Sequence, residues 1–308
     1  MSKPIALLCS DLHFSQNAPV ARSAEPSWFD AQERAWNQIR DRAKQDDLPI
    51  IIAGDIFDHW KSSPELINFV LRLFSGLRIY AVPGQHDLPN HRYDEMNRSA
   101  YGTLVQAGAI DEIEPREPHS MDGMTLHGFP WGCEIKPAKV RNGNRLNVAV
   151  VHKYCWKGEH YPGVSEDCHV GAFRKDLKGY SAAVFGDNHK GFLAQSGDCI
   201  VLNSGTMMCR RSDERNYQPT YGILHADSLV DRVPFDTSKD EWLDQEETEA
   251  LVDKALDMSN LVSELESLGG DALDFKEMLL RYMESSGTAL PTKTLIMKAL
   301  DHSHGENK

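Results

Sequence analysis

The chain has 308 residues, 41% of them hydrophobic and 26% charged, with a formal net charge of −13. That length and balance suit one large buried core with a smaller appended unit, and they exclude a chain dominated by disorder. No apolar stretch reaches about 18 residues and no basic segment with an apolar run behind it opens the chain, so membrane insertion and secretion are not expected and a cytoplasmic protein is. The first strand is expected over Ile5 to Cys9. Asp11 to Pro26 reads as a long loop, and Trp28 to Gln45 has the period of an amphipathic helix leading to a second strand at Pro49 to Ala53. Ser63 to Ser75 carries Leu66, Ile67, Val70, Leu71 and Leu73 at helical spacing, ahead of a third strand at Leu77 to Val82. Arg92 to Ala107 is expected as one further helix, and Ile110 to Pro130 alternates short apolar runs with turns, as sheet does. Strands follow at Leu146 to Val151, at Ala182 to Phe185 and within Gly197 to Phe235. Helix alternating with strand, then strand-rich segments, predicts an α/β fold: a two-sheet β-sandwich flanked by helices.

From Asp236 the texture changes, with an acidic stretch, no β-branched runs, and helical periodicity in Leu251 to Leu268, Asp271 to Ser285 and Pro291 to His302. A main domain over 1–235 and a C-terminal helical region over 236–308 are therefore expected. Phe275, Met278, Leu279 and Tyr282 share one stripe of that region, a face that packs on its own small core or docks another protein. The six cysteines form no CxxC pair, which suits reduced thiols packed as small apolar groups.

Five short clusters carry the chemistry: Asp11-Leu12-His13, Gly54-Asp55, Gly84-Gln85-His86-Asp87, Val151-His152 and Gly186-Asp187-Asn188-His189. Each follows an expected strand, so the polar residues fall on loops that an α/β sheet gathers at one edge. Hydrolysis of a phosphodiester needs a nucleophilic hydroxide and neutralised phosphate oxygens, and two divalent ions held a few Å apart supply both. About eight N and O ligands are needed, and these loops offer them.

In order and spacing the clusters resemble the D-x-H, GD, GNH[DE], H and G-H-x-H pattern of the calcineurin-like metallophosphoesterase superfamily. Within it the chain is most similar to SbcD-type DNA repair nucleases of short phage or prophage form, on Gly54-Asp55-Ile56-Phe57-Asp58, Pro83-Gly84-Gln85-His86-Asp87-Leu88, Gly186-Asp187-Asn188-His189-Lys190 and Asn203-Ser204-Gly205-Thr206-Met207 with Arg210-Arg211 beyond. The resemblance covers Pro4 to Phe235. It implies one metal held by Asp11, His13 and His189, a bridging Asp55, and a second metal completed by Gln85, His152 and Asp187. His86 would give a proton to the leaving oxygen or stabilise its charge, and Asp87 would orient that imidazole. Gln85 stands where Asn is usual and Asp187 where His is usual, both on the second metal, which makes that site harder and more negative and favours Mn²⁺ or Mg²⁺ over Zn²⁺. The resemblance further implies DNA as substrate, an SMC-like ATPase partner of the SbcC type, and a homodimer. No G-x-x-x-x-G-K-[ST] loop is present, so ATP dependence would come from that partner.

Two features pull the other way. A net charge of −13 is awkward for a protein that binds a polyanion, although basic groups remain at Arg210-Arg211 with Arg215 and at Lys136, Lys139, Arg141 and Arg145. Gly54-Asp55-Ile56-Phe57-Asp58-His59-Trp60 also resembles the GD-x-FD-x-W segment of UDP-diacylglucosamine pyrophosphatases, so a small-molecule phosphoesterase, a cyclic-nucleotide phosphodiesterase included, is the alternative; those enzymes carry Arg where His86 stands. Asp58, His59, His91 and His127 are read as turn or cap residues, with His91, soon after Gln85-His86-Asp87, and Lys190 also placed where they could touch substrate phosphate.

Overall fold

The computed structural model describes residues 2–121, 123–138, 145–160 and 163–244. The helices expected beyond Leu251 lie outside the described residues, as do Lys139 and Arg141. The chain divides into two compact units, Met1–Trp242 and Leu243–Lys308, and the first carries the architecture that follows.

Two six-stranded sheets face each other. The first contains β1 (Pro4–Cys9), β2 (Ile50–Ala53), β3 (Ile79–Val82), β4 (Asp111–Glu112), β11 (Thr220–His225) and β12 (Val230–Pro234), in the order β12-β11-β1-β2-β3-β4. The second contains β5 (His119–Met121), β6 (Met124–Phe129), β7 (Leu146–His152), β8 (Ala182–Gly186), β9 (Phe192–Ser196) and β10 (Cys199–Asn203), in the order β5-β6-β7-β8-β10-β9. β1 through β4 run parallel, as do β6, β7, β8 and β10, while β11, β12, β5 and β9 add antiparallel edges. Buried parallel strands read as apolar runs, and Ile50-Ile51-Ile52-Ala53 is one.

Alternation along each strand divides the apolar residues among three layers. Ala6, Leu8, Ile51, Ala53 and Val82 meet Leu126, Val148, Val150, Val184 and Leu202 between the sheets. Leu7, Cys9, Ile50 and Ile52 face the helices α1 (Trp28–Asp46), α2 (Pro64–Phe74) and α3 (Ala100–Gln106). On the far side, Ala149, Val151, Ala183, Phe185 and Val201 are covered by connecting segments through Cys155, Val170, Phe173 and Leu177. Helix α1 starts where Ser27 accepts a bond from the Asp30 N–H, and it buries Trp28, Ala31, Gln32, Ala35, Trp36, Ile39 and Ala43 at helical spacing. Ser63 caps α2 in the same way, with Pro64 in its first turn.

The single helix expected over Arg92 to Ala107 is two pieces, a 3₁₀ segment at Tyr93–Arg98 and then α3. Ser99 separates them in an extended conformation (φ −109°) and caps α3 at Gly102 N–H. Gly102 lies so close to the Met96 carbonyl that a Cβ would strike it, which is how the chain folds back there.

Candidate metal centre

β1, β2, β3, β7 and β8 all finish at the edge where the clusters begin. Backbone bonds tie the loops together: Asp11 N–H donates to Gly54 O and His13 N–H to Asp55 O, each at 3.0 Å. Asp11 (φ 51°), His13 (φ 47°), Asp55 (φ 55°) and Asp187 (φ 79°) all adopt the left-handed region. Non-glycine residues enter it at a cost of about 1–3 kcal/mol each where surrounding structure imposes it, and such strain gathers at functional sites.

The side chains converge in three groups, each with its candidate ligand atoms within 4.8 Å of one another: Asp11 with His13 and His189, Asp11 with Asp55 and His152, and His13 with Asp58 and His86. His13 Nε2 lies 3.1 Å from His189 Nε2 and 3.8 Å from Asp55 Oδ2, while His152 Nε2 lies 3.4 Å from the same oxygen. Gln85 bridges the other side: its Oε1 is 2.6 Å from His152 Nε2, and its Nε2 donates to Asp187 Oδ1 at 2.8 Å. Asp187 N–H donates to Asp11 Oδ1, and His152 Nδ1 meets Ala53 O at 2.6 Å, which leaves Nε2 turned to the cluster. Asp55 is 1% exposed, yet its Oδ2 has no hydrogen-bond partner among the described residues.

That orphaned oxygen is the test of fit. A buried carboxylate oxygen normally takes a donor or a cation, and this one stands among imidazole nitrogens and further carboxylates, a donor set suited to two hard or borderline divalent ions. Burial raises the Asp55 carboxyl, but the His152, His13 and His86 imidazoles outweigh it and hold it well below the ordinary carboxylate range. Burial lowers His152, but Asp55 beside it prevails and pushes it up to about 10. His13 is lowered, chiefly by burial. Asp187 is raised, again by burial first. The site thus holds three carboxylates in a small volume and draws positive charge.

All seven expected ligands are brought together, with Asp187 held through Gln85 and outside the three tight groups. His86 joins them, 4.9 Å from His13 between ring centroids. The role expected of Asp87 does not hold. Its carboxylate accepts the N–H groups of Ile56, Phe57 and Gly84 at 3.0–3.2 Å, binding the β2 and β3 loops together, and burial followed by the Asp55 charge raises it to about 7. His86 is oriented instead by the Asp58 carbonyl, 2.7 Å from its Nδ1. Only an N–H can meet a carbonyl, so the proton sits on Nδ1 and Nε2 is the atom left to exchange one.

Asp58 also exceeds its reading as a turn residue. Its carboxylate lies 3.5 Å from His13 Nδ1 and 2.9 Å from Arg210 Nη1, and Arg210 donates to His13 O at 2.8 Å. Glu214, which no motif marks, is 4% exposed; it lies 3.4 Å from His189 Nδ1 and accepts the N–H groups of Arg210 and Arg211. Burial raises its carboxyl, but His189 and those N–H groups prevail and bring it down to about 2. His91 Nδ1 reaches Gln85 O at 3.1 Å beside the site, whereas His127 lies 3.4 Å from Asn147 within the second sheet, a structural position.

A family model described as calcineurin-like phosphoesterase matches residues 6–274. No curated protein sequence matches the chain. Among solved structures the chain is similar to an archaeal phosphodiesterase (13% identity, 75% of this chain and 99% of the other, TM-score 0.39). It is similar also to a sulfate thiohydrolase, SoxB, from Thermus thermophilus (10%, 83% and 60%, 0.46). A third is a phosphopantetheinyl hydrolase from Mycobacterium tuberculosis (13%, 75% and 96%, 0.41). No helix among the described residues is long and apolar enough to cross a membrane.

Proposed function

Since the chain belongs to the calcineurin-like phosphoesterase family, whose members are metal-dependent hydrolases with a dinuclear metal site, we propose that it is a phosphodiesterase that cleaves DNA, as the nuclease subunit of a repair or recombination machine. The observation that carries the phosphodiesterase reading is the convergence of Asp11, His13, His152 and His189 around the buried, unpartnered Asp55 oxygen, with His86 at its rim. Asp11, His13 and His189 would hold one ion, Gln85, His152 and Asp187 the other, and Asp55 both. Divalent ions held there would supply neutralisation of the phosphate oxygens and a hydroxide nucleophile at neutral pH. Manganese is the metal of this reading, because Gln85 and Asp187 make the second position oxygen-rich.

The protein's own groups then divide the remaining work. His86, fixed through Nδ1–H by the Asp58 carbonyl, would in its imidazolium form deliver the Nε2 proton to the leaving oxygen and remain as the Nδ1–H imidazole. Arg210 and Glu214 hold His13 and His189 in place. The narrower DNA reading draws on the Asn203 to Arg211 segment that the chain shares in pattern with SbcD-type nucleases. That segment is built into the site: Thr206 Oγ1 donates to Asp11 O at 3.2 Å and Met207 N–H to the same oxygen at 3.3 Å. An SMC-like ATPase as partner, and a homodimer, belong to the same proposal.

The test is hydrolysis by the chelator-stripped protein, titrated with Mn²⁺, Mg²⁺ or Zn²⁺, of labelled linear single- and double-stranded DNA and of bis(p-nitrophenyl) phosphate. Mn²⁺-dependent DNA degradation is expected, with a loss of about 10²–10⁴-fold in His86→Ala. Full activity with zinc alone would remove the manganese assignment. Cleavage of the small diester with both DNAs untouched would turn the reading to a small-molecule phosphoesterase.

A further inference from the structure

Beside the metal centre runs a groove of about 700 Å³ that shares Asp187 and His189 with it. Its other walls bring three cations and three aromatic rings together: Lys157, Lys190 and Arg211 with Tyr154, Trp156 and Phe192. We propose that this groove holds a single-stranded polynucleotide segment continuing from the scissile phosphate, with the three cations on its phosphates and Tyr154 against a base. The inference rests on the phosphodiesterase reading and names the substrate class for that site.

The cations are available for such a task. Lys190 is exposed, and its ammonium has no ion-pair or hydrogen-bond partner among the described residues. Among the described residues Lys157 donates to the Leu193 carbonyl alone, at 3.1 Å, and lies 5.9 Å from the centroid of the Phe192 ring. Arg211 meets Asp213 at 3.4 Å, but both side chains are largely exposed, so that pair holds the guanidinium weakly. Glu214, the remaining acid of the wall, is committed to His189 and two backbone N–H groups. The groove thus sets Lys190 and the weakly held Lys157 and Arg211 beside three clustered carboxylates, an arrangement that a polyanion crossing from one to the other accounts for.

The aromatic wall bears on strand type. Trp156 is 4% exposed and donates through Nε1 to Ser165 O at 2.9 Å, and Phe192 is 5% exposed, so both are fixed parts of the wall. Tyr154 is half-buried. Base faces in a duplex are covered by their neighbours, whereas an unpaired base offers its face for stacking, and cationic grooves with aromatic platforms are how single strands are held.

The experiment measures binding of labelled oligothymidylates of increasing length to the full chain by fluorescence anisotropy, with Mn²⁺ present, across a KCl series. It is done in a His86→Ala background so that the strand stays intact. Affinity is expected to rise with length and then level off as the groove fills. In Lys157→Ala/Lys190→Ala, the slope of log affinity against log salt is expected to fall by about 0.7 for each lysine removed. Tyr154→Ala is expected to weaken binding with the slope retained. An unchanged slope and affinity in the double variant, or a blunt duplex bound as tightly as the single strand, overturns the proposal. Bis(p-nitrophenyl) phosphate and the wild-type protein keep the two readings apart. Hydrolysis without length dependence removes the groove and leaves the phosphodiesterase; length-dependent binding without hydrolysis of any diester does the reverse.

Discussion

Gly84 occupies a position where no side chain fits: a Cβ would overlap the Asp55 carboxylate and come within 2.6 Å of the Asp55 backbone nitrogen. The backbone on both sides is held by Asp87, so the overlap is relieved only by moving Asp55 or the β3 loop. Gly84→Ala is therefore expected to cost about 1–3 kcal/mol of stability and, by displacing ligands, about 10²-fold in turnover, measured by urea unfolding and diester hydrolysis. Glu214→Gln probes a different kind of support, the carboxylate behind His189. Partners of this type are worth about 10–100-fold in metal affinity, and calorimetric Mn²⁺ titration should show that loss with unfolding little changed; equal affinities would remove Glu214 from the site's support. The clusters around Asp11, Asp55, His86, His152 and His189 are legible in sequence because each is a short run at a strand end, with fixed neighbours. Glu214 has no such signature, since it acts across 25 residues of chain on His189. Asp58 was within reach of sequence reasoning, three residues after Asp55 on the same loop, but which of Asp58 and Asp87 turns inward is decided by the backbone N–H groups that Asp87 captures.

At the scale of elements, the loop between β1 and α1 is anchored by ions as well as by the buried Leu12 and Phe14. Arg22, 0% exposed, donates to Cys209 O at 2.8 Å and pairs with Glu25 and Asp240, with Trp242 4.8 Å from its guanidinium. Arg34 completes the network through Glu25 and Asp240. One contact thus joins the β1 loop, the strand-end loop carrying Arg210, and the segment after β12. Removing one member of a buried network leaves the others uncompensated, and Glu25→Gln is expected to cost about 3 kcal/mol near neutral pH. Burial raises the Glu25 carboxyl, but Arg22, the Glu241 N–H and Arg34 outweigh it and lower it below its ordinary 4.5. A carboxylate whose folded value is depressed adds stability above its unfolded value and loses it as the pH falls through the folded one. The gap between wild type and Glu25→Gln should accordingly be full above pH 4.5 and close below it, read from urea midpoints across pH; a gap constant with pH would exclude the ionic account. None of this was legible in sequence: hydrophobic periodicity finds α1, α2 and the strands, but it is blind to ion pairs between residues 200 apart, and it ran through the Ser99 break because the Met96 carbonyl that Gly102 admits lies outside any periodic pattern.

For the molecule as a whole, the strained, acid-rich strand edge has a thermodynamic reading. Asp11, Asp55 and Asp187 are held close together by two sheets whose cores lie elsewhere, so folding sets up the repulsion and ions relieve it. Ions that bind the folded chain and not the unfolded one stabilise it by mass action, about 2.7 kcal/mol at one hundred times the dissociation constant. Mn²⁺ titrated into the chelator-stripped protein should raise its Tm progressively, and chelator should reverse the rise. In Asp55→Asn the oxygen that faces both ligand groups loses its charge, so most of the Mn²⁺-dependent shift should vanish while the metal-free protein still unfolds cooperatively. A shift of equal size in the two proteins would mean that the ions bind outside the strand-edge cluster, and the assignment of Asp55 as the shared ligand would fall with it.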